Sequence, residues 1–402
     1  MRRALAIFLL SLPVCAQNLA VEGETVHTMS PRGDLRNGVV VVTDGRIAQV
    51  GPAASVRVPS GYRRVAARVV TPGLIDAHTS LGLSGIYNIA ADQDQDETSD
   101  PNQADLRALD GFNPTESLLH YALENGVTTI QATPGRANVI AGQAGIFQTS
   151  GEKATADSLA LRPVSAMVFT LGENAKATYG PKNKAPTTRM ATAALIRRAL
   201  NDAQNYDRKM QLEPDKRPAR DLKLEALARV VRGELPAVFS AQREDDILTA
   251  IRLGQEFSLK YMIDGAAEAY LVADEIKKAG IPVLVGPTMQ RAASLDTRNT
   301  TLENTAILAN KGVPIAIPSG FEGYVPKTRL VLFEAGLAAA NGLRSDRALE
   351  AITVSPARIL GVADRLGSIE EGKQADLVLY DGDPFEYRTR VTNVVVRGKP
   401  IR

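Results

Sequence analysis

Short apolar runs recur along the middle of this chain. They fall at Val69–Asp76, Val127–Ala132, Gly145–Thr149, Val164–Leu171, Ala237–Ala241, Leu259–Asp264, Pro282–Val285 and Pro314–Pro318. Nearly continuous runs of this length predict strands buried on both faces. Between them lie stretches with helical spacing of apolar residues: Met190–Tyr206, Leu222–Arg232, Asp245–Phe257, Ala267–Ala279, Leu302–Lys311 and Leu330–Ala340. Ser355 followed by Pro356 is expected to cap a last helix, with proline in its first turn. Alternation of strand and helix predicts an α/β chain with a parallel sheet covered by helices. The span suits a (β/α)8 barrel, a fold of roughly 250 residues or more.

The two ends read differently. Residues 20–51 are β-type runs broken by Asn37-Gly38 and Asp44-Gly45, the turn dipeptides of hairpins. The segment from Gly367 to Lys399 repeats that style. The expectation is a small composite β-sandwich assembled from both ends, residues 17–68 and 366–402, around a barrel at 69–365. Two polar loops, Ala91–Asp100 and Ala175–Thr187, are expected at the C-terminal mouth, where barrels of this kind build their sites.

Composition narrows the partners. Formal net charge is +2 over 402 residues, so no nucleic-acid footprint is expected. Arg2 and Arg3 precede a short apolar run, Ala4–Val14, of signal-peptide rather than membrane-span length. Cleavage is expected after Ala16, leaving residues 1–16 as a signal peptide and sending the chain to a bacterial periplasm or beyond. Lipidation at Cys15 is the second reading. Cleavage removes that single cysteine, so neither disulfide nor thiol chemistry is expected of the mature chain. No membrane span is expected elsewhere.

The chemistry begins at Thr71–Ser80, which contains Pro72-Gly73-Leu74-Ile75-Asp76-Ala77-His78. This stretch resembles the first barrel strand of the amidohydrolase superfamily. Further matching stretches are Asn125–Gln131, Pro134–Gln143, Gly172–Lys176 with Thr188–Met190, Arg243–Ile247 and Gly372–Val378. Together they are similar to the exported imidazolonepropionase-like group, over nearly the whole mature chain. The resemblance implies a metal-dependent-hydrolase barrel with a composite β-sandwich. It implies hydrolysis of C–N bonds in amides, cyclic amides or peptides. One or two divalent metals such as zinc would activate water, and an aspartate would move the proton.

Position by position, the family's ligands are replaced. The first histidine is His78, and the second falls on Ser80. The metal-bridging lysine falls on Gln148, later histidines on Ser240, Gln242 and Gly265, and the aspartate on Gly320. Asp264 adjoins Gly265, but a one-residue change of register turns a side chain to the other face. Neutral replacements are poor ligands for a dication, so a degenerate site with no metal and no cofactor is expected. His78 then reads as a relic, for no orienting partner is identifiable from sequence. His27 and His120 read as structural. Serine catalysis by Ser80 or Ser240 lacks a visible nucleophile elbow. The acidic run Asp92, Asp94, Asp96 and Glu97 lacks a calcium-loop pattern and reads as a solvated lid. Arg136, Asn138, Gln143 and Arg189 are the candidate pocket residues, suited to a carboxylate or amide. The function expected is a pseudoenzyme binding a small ligand or a protein partner. The alternatives are a C–N hydrolase rebuilt around His78, Asp264 or lid carboxylates, and a subunit in a homo-oligomer or with an active amidohydrolase.

Overall fold

The computed structural model describes residues 18–87, 89–150, 154–289, 292–320 and 331–401. The expected signal peptide and Cys15 lie outside them. The described residues form two sheets. The first holds β1 (Leu19–His27), β2 (Asp34–Thr43), β3 (Arg46–Pro52) and β4 (Arg63–Pro72). From the far end of the chain it takes β13 (Leu377–Tyr380), β14 (Val391–Val396) and β15 (Lys399–Pro400). Its strand order is β15-β14-β13-β4-β1-β2-β3, so the two ends meet where β13 pairs with β4.

The second sheet is the barrel. It runs in sequence order through β5 (Leu74–Thr79), β6 (Val127–Ala132), β7 (Ile140–Gln148), β8 (Ala160–Thr170), β9 (Ala237–Ala241), β10 (Tyr261–Gly265), β11 (Val283–Val285) and β12 (Ile315–Ala316). A single bridge, Thr79 to Gly320, nearly closes it, and the Gly320 N–H donates to the His78 carbonyl at 3.1 Å. Helices cover the outside as their spacing predicts. The helix Arg189–Met210 buries Thr192, Ala193, Ile196, Ala199, Leu200, Ala203 and Tyr206, one stripe along its length. The Thr188 hydroxyl accepts from the Ala191 N–H and fixes its start. Among the described residues, no helix is long and apolar enough to cross a membrane.

Three local expectations change. The run at Val69–Asp76 is two strands: Val69 to Pro72 belongs to the end sheet and Leu74 onward to the barrel. Gly73 makes the transfer, and a Cβ there would lie 2.2 Å from Thr128 Oγ1. The barrel is not wholly parallel, because β7 runs antiparallel to both β6 and β8. Residues 133–139 are too few for the crossover that a parallel neighbour requires. The last helix, Val354–Ile359, starts after Thr353 rather than at Ser355. Pro356 fits its first turn because the opening N–H groups of a helix have no internal partner anyway.

Candidate functional site

Strand periodicity aims the central residues. Val168, Val238 and Met262 pack in the inner cluster of the barrel, while Phe169, Phe239 and Ile263 pack in the larger cluster with the helices. Two residues beyond the inner set come Thr170, Ser240 and Asp264, which are register partners across β8, β9 and β10. Asp264 therefore faces the barrel interior, and Gly265, expected to hold the ligand position, does not. Gly265 leaves the strand with φ of 85°, and a Cβ on it would press within 2.5 Å of Gln242 Nε2.

The fully buried Asp264 gathers three partners. Arg136 Nη2 donates to Oδ2 at 2.7 Å, and the Ser240 hydroxyl donates to the same oxygen at 3.1 Å. His78 Nδ1 stands 3.1 Å from Oδ1. That contact is close but poorly aligned, so neither atom completes a hydrogen bond. Burial alone would raise the Asp264 carboxyl. The charges of His78 and Arg136 outweigh it and hold the group well below the ordinary carboxylate range. Several atoms nearby remain buried without a partner among the described residues: His78 Nε2, Ser80 Oγ, Thr170 Oγ1 and Arg136 Nε. Buried polar groups of this kind normally have partners. Asp264 is also the carboxylate beside His78 that strand alternation concealed.

Beside this cluster opens a cavity of about 540 Å³, lined among others by Arg136, Ser240 and Gln242. Gln242 accepts from the Ala267 N–H at 3.2 Å through Oε1. Arg189 stands behind the wall rather than in the cavity. It bonds Asp246 at 3.0 Å and also pairs with Asp296, a lining residue. Burial raises the Asp246 carboxyl to about 6 in spite of Arg189. Asp296 Oδ2 in turn accepts from the Glu173 N–H at 2.8 Å. Glu173 and Asp296 line the cavity while Asp246 does not, and the sequence did not show that the three meet, since they come from separate loops and a helix.

Other candidates do not reach the mouth. Gln148 lies at the opposite end of the barrel, because β7 is antiparallel and finishes where β6 begins. Its Nε2 donates to Asp376 Oδ2 at 3.0 Å, joining barrel to end sheet. Gln143 donates to the Ala104 carbonyl at 2.9 Å and borders a separate outer cavity. Asn138 is spent on structure, donating to the Glu97 carbonyl and accepting from the Tyr179 hydroxyl. Gly320 serves barrel closure, as the bridge to Thr79 shows. His27 pairs with Asp34 at 2.9 Å and His120 with Glu124 at 3.4 Å, both away from the barrel mouth. In the acidic loop, Asp96 accepts from the Ala137 N–H at 2.9 Å and lines the cavity.

Among the described residues, the side chains at the mouth do not by themselves complete a zinc ligand set. One imidazole and one carboxylate converge, and that carboxylate already holds a guanidinium. Among the described residues, no three His, Cys, Asp or Glu side chains cluster as metal ligands.

The sequence profile of the amidohydrolase family matches residues 69–401. An amidohydrolase structure from Thermotoga maritima superposes with a TM-score of 0.90 at 32% identity, covering 96% of this chain and 99% of that one. The imidazolonepropionase of Rhizorhabdus wittichii is 24% identical over 87% of this chain and 89% of its own length. Amidohydrolase tasK of Hapsidospora irregularis is 27% identical over 87% of this chain, which spans 38% of that protein. An adenosine deaminase from Xanthomonas campestris, 19% identical with a TM-score of 0.55 over 96% of this chain, has bound zinc. That finding corrects the expectation of no cofactor. Replacing side chains at one set of positions does not dispose of a metal, because water, backbone carbonyls and carboxylates from other positions also serve as ligands.

Proposed function

Because this chain belongs to the amidohydrolase family, we propose that its barrel mouth is a binding site for a small molecule carrying a carboxylate or amide, held without turnover through the family's usual ligands. The observation that carries this reading is the Arg136 guanidinium on Asp264. It places a fixed cation at the floor of the cavity, with Nε still unpartnered. A planar guanidinium suits carboxylate and carbonyl oxygens. Ser240, which donates to the same carboxylate, lines the cavity beside Arg136.

One observation favours a second reading, an active C–N hydrolase with a rebuilt site. Asp264 Oδ1 stands 3.1 Å from His78 Nδ1, and Nε2 is buried with no partner among the described residues, so a small rotation of the ring would give an oriented base. A single experiment separates the two. Purified protein is equilibrated with Zn²⁺, freed of excess ion, and assayed for metal content and for hydrolysis of a panel of acyl amides and dipeptides. Binding of short carboxylates without turnover is expected. Stoichiometric metal with turnover that disappears in His78→Ala would replace the binding reading by the hydrolase reading.

The same proposal includes export with cleavage after Ala16. Intact mass of the protein secreted by a bacterial host should begin at Gln17. A retained Met1 or a lipidated Cys15 would overturn that part alone.

A further inference from the structure

The cavity is charged unevenly. Its floor carries the guanidinium of Arg136, already neutralised by Asp264 from below. Its wall and rim carry three carboxylates, those of Asp96, Glu173 and Asp296. Asp296 is matched by Arg189, which must also serve Asp246. Glu173 is half-buried, and no ion pair reaches its side chain among the described residues. Among the described residues that line it, the mouth therefore has an excess of negative charge, in a cleft whose walls focus the field. The floor presents the opposite character. Arg136 is 8% exposed with a buried Nε that has no partner, and the Gln242 amide, 9% exposed, bonds only through its oxygen. Both residues line the cavity and carry N–H groups with no acceptor among the described residues.

We propose that the mouth selects a dipolar molecule, with a carboxylate or carbonyl against Arg136 and Gln242 and an amine cation against Glu173. The inference rests on the mouth being a ligand site and adds the amine end, which a carboxylate site alone does not require. The sequence hid it because Glu173 lies in the loop after β8 and Arg136 in the loop after β6.

Isothermal titration of the full mature chain with 6-aminohexanoate, hexanoate and hexylammonium tests it. The expected result is 6-aminohexanoate binding about tenfold tighter than hexanoate, the worth of one charge-assisted hydrogen bond. Glu173→Gln should abolish that margin, the two acids then binding equally. The side chain is half-exposed and carries no internal bond, so the variant should fold, and circular dichroism checks this. Equal affinity for the two acids in the unaltered protein overturns the amine end and leaves the carboxylate site standing. A margin that survives in Glu173→Gln overturns the assignment to Glu173. No binding of any probe removes the floor site, and with it both this inference and the proposed function.

Discussion

At Gly172 the backbone has φ of 94°, and a Cβ would lie 2.4 Å from Asp296 Oδ2. Glycine is needed there twice over, for the left-handed backbone and for the approach of the carboxylate that caps the Glu173 N–H. Gly172→Ala should cost about 1–3 kcal/mol, read as a lowered urea midpoint, and should weaken ligand binding by displacing the wall. Arg136 is the more consequential side chain. Arg136→Met leaves the Asp264 carboxylate buried with only His78 and a hydroxyl, and should destabilise the fold by about 3–5 kcal/mol. The double variant Arg136→Met with Asp264→Leu should recover most of that loss. A double-mutant cycle in urea gives the coupling, and additive costs would show that the pair is not a unit. His78 was visible in the sequence as a retained position, and Ser80, Ser240 and Gln242 as altered ones. That Asp264 rather than Gly265 joins them was not, because one residue of register decides the face.

Between elements, the ion group of Arg189, Asp246 and Asp296 ties the helix Arg189–Met210 to the helix Glu244–Glu256 and to the loop after β11. Burial raises Asp246 to about 6, above its unfolded value. The folded protein therefore binds this proton more tightly than the unfolded chain. The contribution to stability is greatest below about pH 4, falls as pH rises towards 6, and is flat above. Asp246→Asn removes that dependence. The melting temperature of the unaltered protein minus that of the variant should decline between pH 4 and 6 and then stay constant. A difference that rises over the same interval would contradict the sign. The strand and helix positions themselves were legible from apolar spacing. The direction of β7 was not, since an apolar run has no arrow, and only the shortness of its connection sets it antiparallel.

Across the whole molecule, one buried carboxylate holds barrel and end sheet together. Asp376 accepts from Gln148 and Gln374 side chains at 3.0 Å and from the Arg397 N–H at 2.8 Å. Asp376→Ala leaves those donors buried and unpaired, and should cost about 2–4 kcal/mol. Gln148→Leu should cost less, about 1 kcal/mol, and calorimetry distinguishes the two. This assigns Gln148 to stability rather than chemistry. The apolar and polar pattern, the turn dipeptides and the motif at Thr71–His78 were enough to specify a barrel, a β-unit from both ends and the family. Those features are local, or depend on one strand at a time. Tertiary packing alone placed Arg136 on Asp264, carried Gln148 and Gln143 away from the mouth, brought Glu173 and Asp296 to its wall and set Asp246 behind it with Arg189. Those contacts join residues far apart in the chain, and they depend on strand direction, register and loop path together, none of which a linear pattern contains.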